Sequence, residues 1–197
     1  MSDVRIAVFC GSNHGHDERF TAQAKHLGAL LLERGYGLVY GAGDVGLMGV
    51  IADAVLEGDG EVIGVIPQAL VDREVAHDGL TELHVVETMH ERKRMMYDMA
   101  DAVIAMPGGI GTLDELFETW TWNQLGYLNE PLGVLNVAGY YDPLIEMVDK
   151  MVQQGFLRSE TRRLLHVSDD AADLLDRLMA ARTGGSKWRV GGPVSEH

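Results

Sequence analysis

The sequence predicts an α/β fold: one domain built on a doubly wound parallel sheet with helices on both faces. Three observations carry this expectation. Short apolar runs alternate with longer amphipathic ones along the whole chain. The short runs, such as VRIAVF and VIGVI, are apolar at consecutive positions, so both faces of each strand need cover. A length of 197 residues with 46% hydrophobic content suits one core and little more.

Taken in order, residues 4–9 (VRIAVF) read as the first strand and 18–34 as a helix with apolar residues at helical spacing. Residues 37–40 (GLVY) form a strand and 47–57 a helix. The run 62–66 (VIGVI) is a strand closed by Pro67, followed by a polar loop through Glu74 and His77 and a short strand at 84–87. A helix at 89–100, a strand at 102–106 and a helix at 113–124 come next. The chain continues with a strand at 132–136, a helix at 142–154, a weak strand at 165–167 and a helix near 170–181. The domain is expected to span 1–182. From Thr183 the tail TGGSKWRVGGPVSEH is glycine-rich and aperiodic and reads as a flexible end.

Composition narrows the function. The net charge of −14 does not attract polyanions, so nucleic-acid polymers are not expected partners, whereas a small phosphorylated ligand needs only a few local donors. The single cysteine, Cys10, cannot form an internal disulfide, which fits a reducing compartment. The N-terminus lacks the features of a signal peptide, and no apolar run approaches the roughly 20 residues that span a bilayer. The expectation is a soluble cytoplasmic protein without membrane contact.

Parallel sheets bind ligands beyond the carboxyl ends of their strands, where strand order reverses. Four loops therefore matter. CGSNHG, after the first strand, offers Gly11 and Ser12 as donors; it also reads as an ordinary strand-to-helix turn. His14 and His16 lack carboxylate neighbours and read as solvated, so no metal site is expected, and Cys10 reads as a small buried hydrophobe. YGAGDVG has Gly41, Gly43 and Gly46 in G-x-G-x-x-G spacing. It follows the second strand, and the acid that would hold a dinucleotide ribose is replaced by Ile66 and Pro67. A turn lining a nucleotide site, with Gly43 as a candidate contact, is the better reading. IPQALVDRE carries Glu74.

MPGGIGT is the strongest signal. Gly108, Gly109 and Gly111 allow a backbone to approach an anion with its amides turned inward, at the start of a helix whose dipole favours negative charge. Two readings of the next residues stand side by side. T-L-D-E matches a capping box with Thr112 at the cap and Glu115 three residues on. Alternatively, Glu115 faces the sugar of a phosphate ester held by the turn. Along this helix Leu113, Leu116, Phe117 and Trp120 are expected to be buried, with Glu115, Glu118 and Trp122 opposite them as a cleft wall or subunit contact. In TMHERKRMMYDMA, Arg92 lies on a stripe with Met89, Met96 and Met99, so it must snorkel out or find an anion, whether a ligand or a core carboxylate. Lys93 borders the stripe, while Arg94 and Asp98 form a surface i, i+4 pair.

These stretches, with TWNQLGY and PLGVLNVAGYYDPL, resemble the LONELY GUY-type cytokinin riboside 5′-monophosphate phosphoribohydrolases, often mislabelled lysine decarboxylases. The resemblance spans nearly the whole chain except the tail. It implies a Rossmann-like homodimer that hydrolyses the N-glycosidic bond of a nucleoside monophosphate without a cofactor, releasing an adenine-type base and ribose 5-phosphate. It carries the catalytic pair onto Arg92 and Glu115. It carries substrate contacts onto Glu74, Arg92, Lys93, Gly109, Ile110, Gly111, Thr112, Leu113, Asp114, Glu115 and Thr121. The family commonly has an extra glycine and a serine or asparagine in the second loop, where this chain has Ala42 and Asp44.

Three rivals frame this expectation. A carrier of a phosphorylated pterin, like the molybdenum-cofactor carriers, needs the glycine loop but not the Arg92–Glu115 pair. A pyridoxal-phosphate decarboxylase needs a Schiff-base lysine, and of Lys25, Lys93, Lys150 and Lys187 only Lys93 is near the loop. A nicotinamide oxidoreductase is the third.

Overall fold

The computed structural model describes residues 2–71 and 76–182. Its elements are β1 (Arg5–Phe9), α1 (Glu18–Glu33), β2 (Gly37–Tyr40), α2 (Gly46–Leu56), β3 (Val62–Pro67), α3 (Gln68–Val71), β4 (Glu82–Val86) and α4 (Met89–Met99). They continue with β5 (Ala102–Ala105), α5 (Ile110–Leu125), β6 (Leu132–Leu135), a 3-10 turn (Val137–Gly139), α6 (Asp142–Gln153), α7 (Ser159–Arg163), β7 (Leu165–Ser168) and α8 (Ala171–Ala181).

The strands form one sheet in the order β4-β3-β2-β1-β5-β6-β7, with every pairing parallel. The chain therefore builds outward from β1 to β4, crosses back through α4, and continues on the other side from β5 to β7. This is the expected doubly wound, Rossmann-like α/β architecture.

The pleat explains the apolar runs. Along β1, Ile6 and Val8 belong to one core with Leu27, Leu31 and Ile51, while Ala7 and Phe9 belong to another with Met96, Tyr97, Leu116 and Trp120. Successive side chains point to opposite faces, so a strand sandwiched between helix layers must be apolar at every position. Helices α1, α2 and α8 cover one face, and α4, α5 and α6 the other. The layer change occurs between β1 and β5, whose carboxyl ends open onto a crevice. Among the described residues, no helix is long and apolar enough to cross a membrane.

Two expectations lie outside the described residues: Glu74 in its polar loop and the tail from Thr183. One boundary is corrected. Helix α5 begins at Ile110 with Gly109 as N-cap, and Thr112 lies inside the first turn, 4% exposed. The capping-box reading of Thr112 and Glu115 therefore fails. The motif occurs instead in α4, where Thr88 Oγ1 accepts from Glu91 N (3.1 Å) and Glu91 accepts from Thr88 N (3.2 Å).

Candidate active site

The turn between β5 and α5 is pinned at its base. Met106 N donates to Phe9 O at 2.8 Å, and Gly11 N donates to Pro107 O at 3.0 Å, so the loops after β1 and β5 are joined side by side. A Cβ on Gly108 would collide with the Thr112 hydroxyl and sit 2.9 Å from Gly11 N, so glycine there serves internal packing. Gly109 and Gly111 differ. A Cβ on either would meet no protein atom within 4 Å, and Gly109 has an unremarkable φ of −91°. Neither packing nor backbone geometry requires glycine at these two positions. Ile110 between them is 87% exposed. Helix-start amides lack intrahelical partners, and a bare backbone lets an anion reach them.

The turn forms one wall of a crevice of about 170 Å³, whose lining includes Gly11, Ser12, Phe20, Pro107, Gly109 and Tyr140. Ser12 is exposed at its rim, and Gly11 is buried at its base. A more open hollow of about 630 Å³ adjoins it, lined by Ser12, Asn13, His14, Asp44 and Asp53 among others. His77 accepts from Gly79 N at 3.0 Å, and its other ring nitrogen is 2.9 Å from Asp53 and 3.9 Å from Asp44. Among the described residues, no group of three or more His, Cys, Asp or Glu side chains is arranged to hold a metal ion.

Arg92, 6% exposed, enters from the first turns of α4. Its Nε donates to Val65 O at 3.0 Å and Nη2 to Gly41 O at 2.8 Å, which fixes the guanidinium over the carboxyl ends of β2 and β3. A Cβ on Gly41 would occupy the place of Nη2. The first glycine of YGAGDVG thus makes room for an arginine. Gly43 pairs with Ala76 in an antiparallel bridge, and Gly46 has φ +59° with its Cα against the Ser12–Asn13 backbone. This second turn is shaped by the protein's own packing.

The seam between α4 and α5 holds a polar network that sequence reading missed. Lys93 Nζ, on a residue 5% exposed, lies 3.1 Å from Asp114 Oδ2 and 3.0 Å from Glu118 Oε1. Burial pulls the lysine pKa down, but the hydrogen bonds to Glu118 and Asp114 outweigh it, and the net shift is upward. Tyr97 OH donates to Glu118 Oε2 at 3.3 Å and accepts from Thr119 Oγ1 at 3.1 Å, while the same threonine hydroxyl is 2.7 Å from Glu115 O. Helix α5 is therefore buried on two sides. Thr119 is fully buried and Phe117 is 37% exposed, a correction to the expected buried face. Trp122 is half-buried and packs edge-on against Tyr97 with ring centroids 5.5 Å apart. Arg94 and Asp98 form the expected surface pair at 3.1 Å. The signal that could have revealed the seam is the i, i+4 recurrence of Asp114, Glu118 and Trp122 opposite Lys93 and Tyr97, which shows only once the two helices are known to be neighbours.

Glu115, half-buried, rises from the second turn of α5. Its charge acts on two buried groups from different elements. Burial first, and the Glu115 charge second, push the Cys10 thiol far up, which keeps it protonated and unreactive. The Tyr97 hydroxyl is also pushed up, mainly by burial, with Glu118 and Glu115 contributing. Of the other expected contacts, Leu113 is half-buried and Asp114 exposed. Thr121 stands apart. It is exposed, its hydroxyl donates to Phe117 O at 2.7 Å, and ten residues of helix separate it from Gly111, about 15 Å.

The sequence likewise matches known proteins. Cytokinin riboside 5′-monophosphate phosphoribohydrolase LOG of Oryza sativa subsp. japonica is 47% identical over 174 residues, which is 88% of this chain and 72% of that protein. LOG2 of Arabidopsis thaliana, of the same description, is 47% identical over 88% of this chain and 82% of its own length. The chain belongs to this family. A family model described as "Possible lysine decarboxylase" matches residues 48–178. Two solved structures share the fold. The molybdenum cofactor binding protein of Rippkaea orientalis has TM-score 0.69 at 19% identity, covering 91% of this chain and 98% of that one. The molybdenum cofactor carrier protein of Chlamydomonas reinhardtii has TM-score 0.66 at 20% identity, covering 90% and 98%. Ala42 has φ +64°, in the left-handed region that glycine occupies without strain.

Proposed function

We propose that the protein hydrolyses the N-glycosidic bond of adenosine-type 5′-monophosphates, releasing the base and ribose 5-phosphate. The observation that carries this reading is the turn at Gly109–Gly111, whose glycines face open space and lead directly into the helix that bears Glu115. In this reading the helix-start amides hold the phosphate, and the sugar lies along the first turns of α5. The C1′–N bond breaks with its electron pair going to the base, and water adds its hydroxyl to C1′. Glu115 stabilises the cationic sugar and takes the water's proton, which then passes to the nitrogen of the departing base; Arg92 steadies the substrate and the charge leaving with the purine. Glu74, Lys93 and Thr121 complete the proposed contacts, in a homodimer acting in the cytoplasm with residues 1–182 as its catalytic domain.

The lysine decarboxylase description finds less support. A Schiff base forms from a neutral amine, and catalytic lysines have lowered pKa values. Lys93 is held as an ammonium between two carboxylates, with its pKa raised.

The test is incubation of purified protein with adenosine monophosphate and with isopentenyladenosine monophosphate, followed by assay of free base. Glu115→Gln is expected to lower turnover about a hundredfold or more while thermal unfolding is unchanged, since one lost electrostatic stabiliser costs about 3–4 kcal/mol in barrier. Full activity in a folded Glu115→Gln protein refutes the assignment.

A further inference from the structure

A backbone turn that grips an anion must point its amides inward and dispose of its carbonyls, because a carbonyl oxygen facing a phosphate repels it. The chain gives each carbonyl from Met106 to Gly109 a donor. Tyr141 OH donates to Met106 O at 2.6 Å. Gly11 N donates to Pro107 O at 3.0 Å, Tyr140 OH to Gly108 O at 2.6 Å, and Leu113 N to Gly109 O at 3.2 Å. Two of the four donors are backbone amides supplied by the fold itself. The other two are hydroxyls of consecutive residues from a different loop.

That loop is built to deliver them. After β6, Ala138 and Gly139 both take positive φ, +55° and +74°. Asn136 Oδ1 accepts from Tyr141 N at 2.7 Å, and its Nδ2 donates to Asp142 Oδ1 at 2.7 Å, closing the loop on itself. The left-handed pair turns the chain so that both tyrosines reach the same neighbouring turn, with their rings edge-to-face at 5.0 Å. Tyr141 is 2% exposed and purely internal, whereas Tyr140 is 44% exposed, on the crevice wall, and is braced by Phe20 at 5.6 Å.

We infer that Tyr140 and Tyr141 are positioning residues for the anion turn: their hydroxyls tie back the carbonyls of Gly108 and Met106 so that the turn presents only N–H donors to the phosphate of the substrate. This rests on the nucleotide reading above and assigns the tyrosines no chemistry of their own. They act on affinity for the phosphate end and not on the base.

The experiment uses the full chain and the variants Tyr140→Phe and Tyr141→Phe, which keep the rings and remove one hydroxyl each. Calorimetry measures binding of inorganic phosphate, ribose 5-phosphate and adenine, alongside KM and kcat for adenosine monophosphate. Each variant is expected to weaken both phosphate ligands about fivefold, with adenine affinity unchanged and the loss falling on KM more than kcat. Loss of adenine affinity in proportion, or unchanged phosphate affinity in both variants, overturns the inference. Should Tyr141→Phe unfold, Tyr140→Phe alone decides, because its hydroxyl is at the surface. Wild-type protein that binds neither phosphate ligand overturns both the inference and the phosphate role of the turn. Phosphate binding that the variants weaken, in a protein that hydrolyses no nucleotide, supports the inference and removes only the reaction.

Discussion

The two glycine turns at the carboxyl edge of the sheet look alike in sequence and do opposite jobs. In YGAGDVG each key glycine answers to the protein. Gly41 yields its Cβ position to Arg92, Gly43 pairs with Ala76, and Gly46 holds a left-handed φ against the loop after β1. In PGGIGT only Gly108 is spoken for internally; Gly109 and Gly111 face open space. One turn is shaped by its own neighbours; the other leaves room that, in the proposed function, the phosphate takes. A glycine pattern alone does not separate the two cases, but the space around each missing Cβ does.

That contrast can be broken experimentally. The largest effect is expected at Gly41. A Cβ there meets the movable end of Arg92 and no rigid backbone, so Gly41→Ala should keep the fold and displace the guanidinium. Turnover is expected to fall about a hundredfold, matching Arg92→Ala, with unchanged circular dichroism. A fully active Gly41→Ala would show that Arg92 does not need its present seat. Gly46→Ala should instead damage the fold, since its Cβ would strike the Ser12–Asn13 backbone at a positive φ. A loss of about 2–3 kcal/mol is expected, read as a fall of roughly 4–12 °C in melting temperature. Gly111→Ala sharpens the comparison because the two readouts move in opposite directions. Alanine is the better helix former by up to about 1 kcal/mol, so the protein should melt higher while KM for the monophosphate rises about tenfold. The smallest effect is at Ala42, where relief of its positive φ is opposed by the greater backbone freedom of glycine in the unfolded chain. Ala42→Gly is expected to shift stability by less than about 1 kcal/mol in denaturant titration.

Much of this was legible in the chain because the sheet is covered on both faces. Strands such as GLVY are apolar throughout, and their bounds are readable from hydrophobicity alone. The start of α5 was not. Threonine is a favoured N-cap and glycine is a weaker cue, so Thr112 drew the boundary three residues too late. The true cap is Gly109, and Thr112 instead packs under Gly108. Helix α7 at Ser159–Arg163 is too short to show a period. At the site, Arg92 stood out because a charge on an apolar stripe is anomalous, but the backbone carbonyls of Val65 and Gly41 to which it donates have no sequence signature. Phe117 was misread, and the partners of Glu118 were missed, for a related reason: a helix packed on two sides breaks the one-stripe rule.

The crevice beside the anion turn encloses only about 170 Å³, well below the roughly 300–1,000 Å³ of pockets that swallow a whole small molecule. In the proposed function, a nucleotide seated there has its anionic tail indoors and its heterocycle on the doorstep. Selectivity among bases would then be written in the surrounding hollow, where side chains can drift without disturbing the grip.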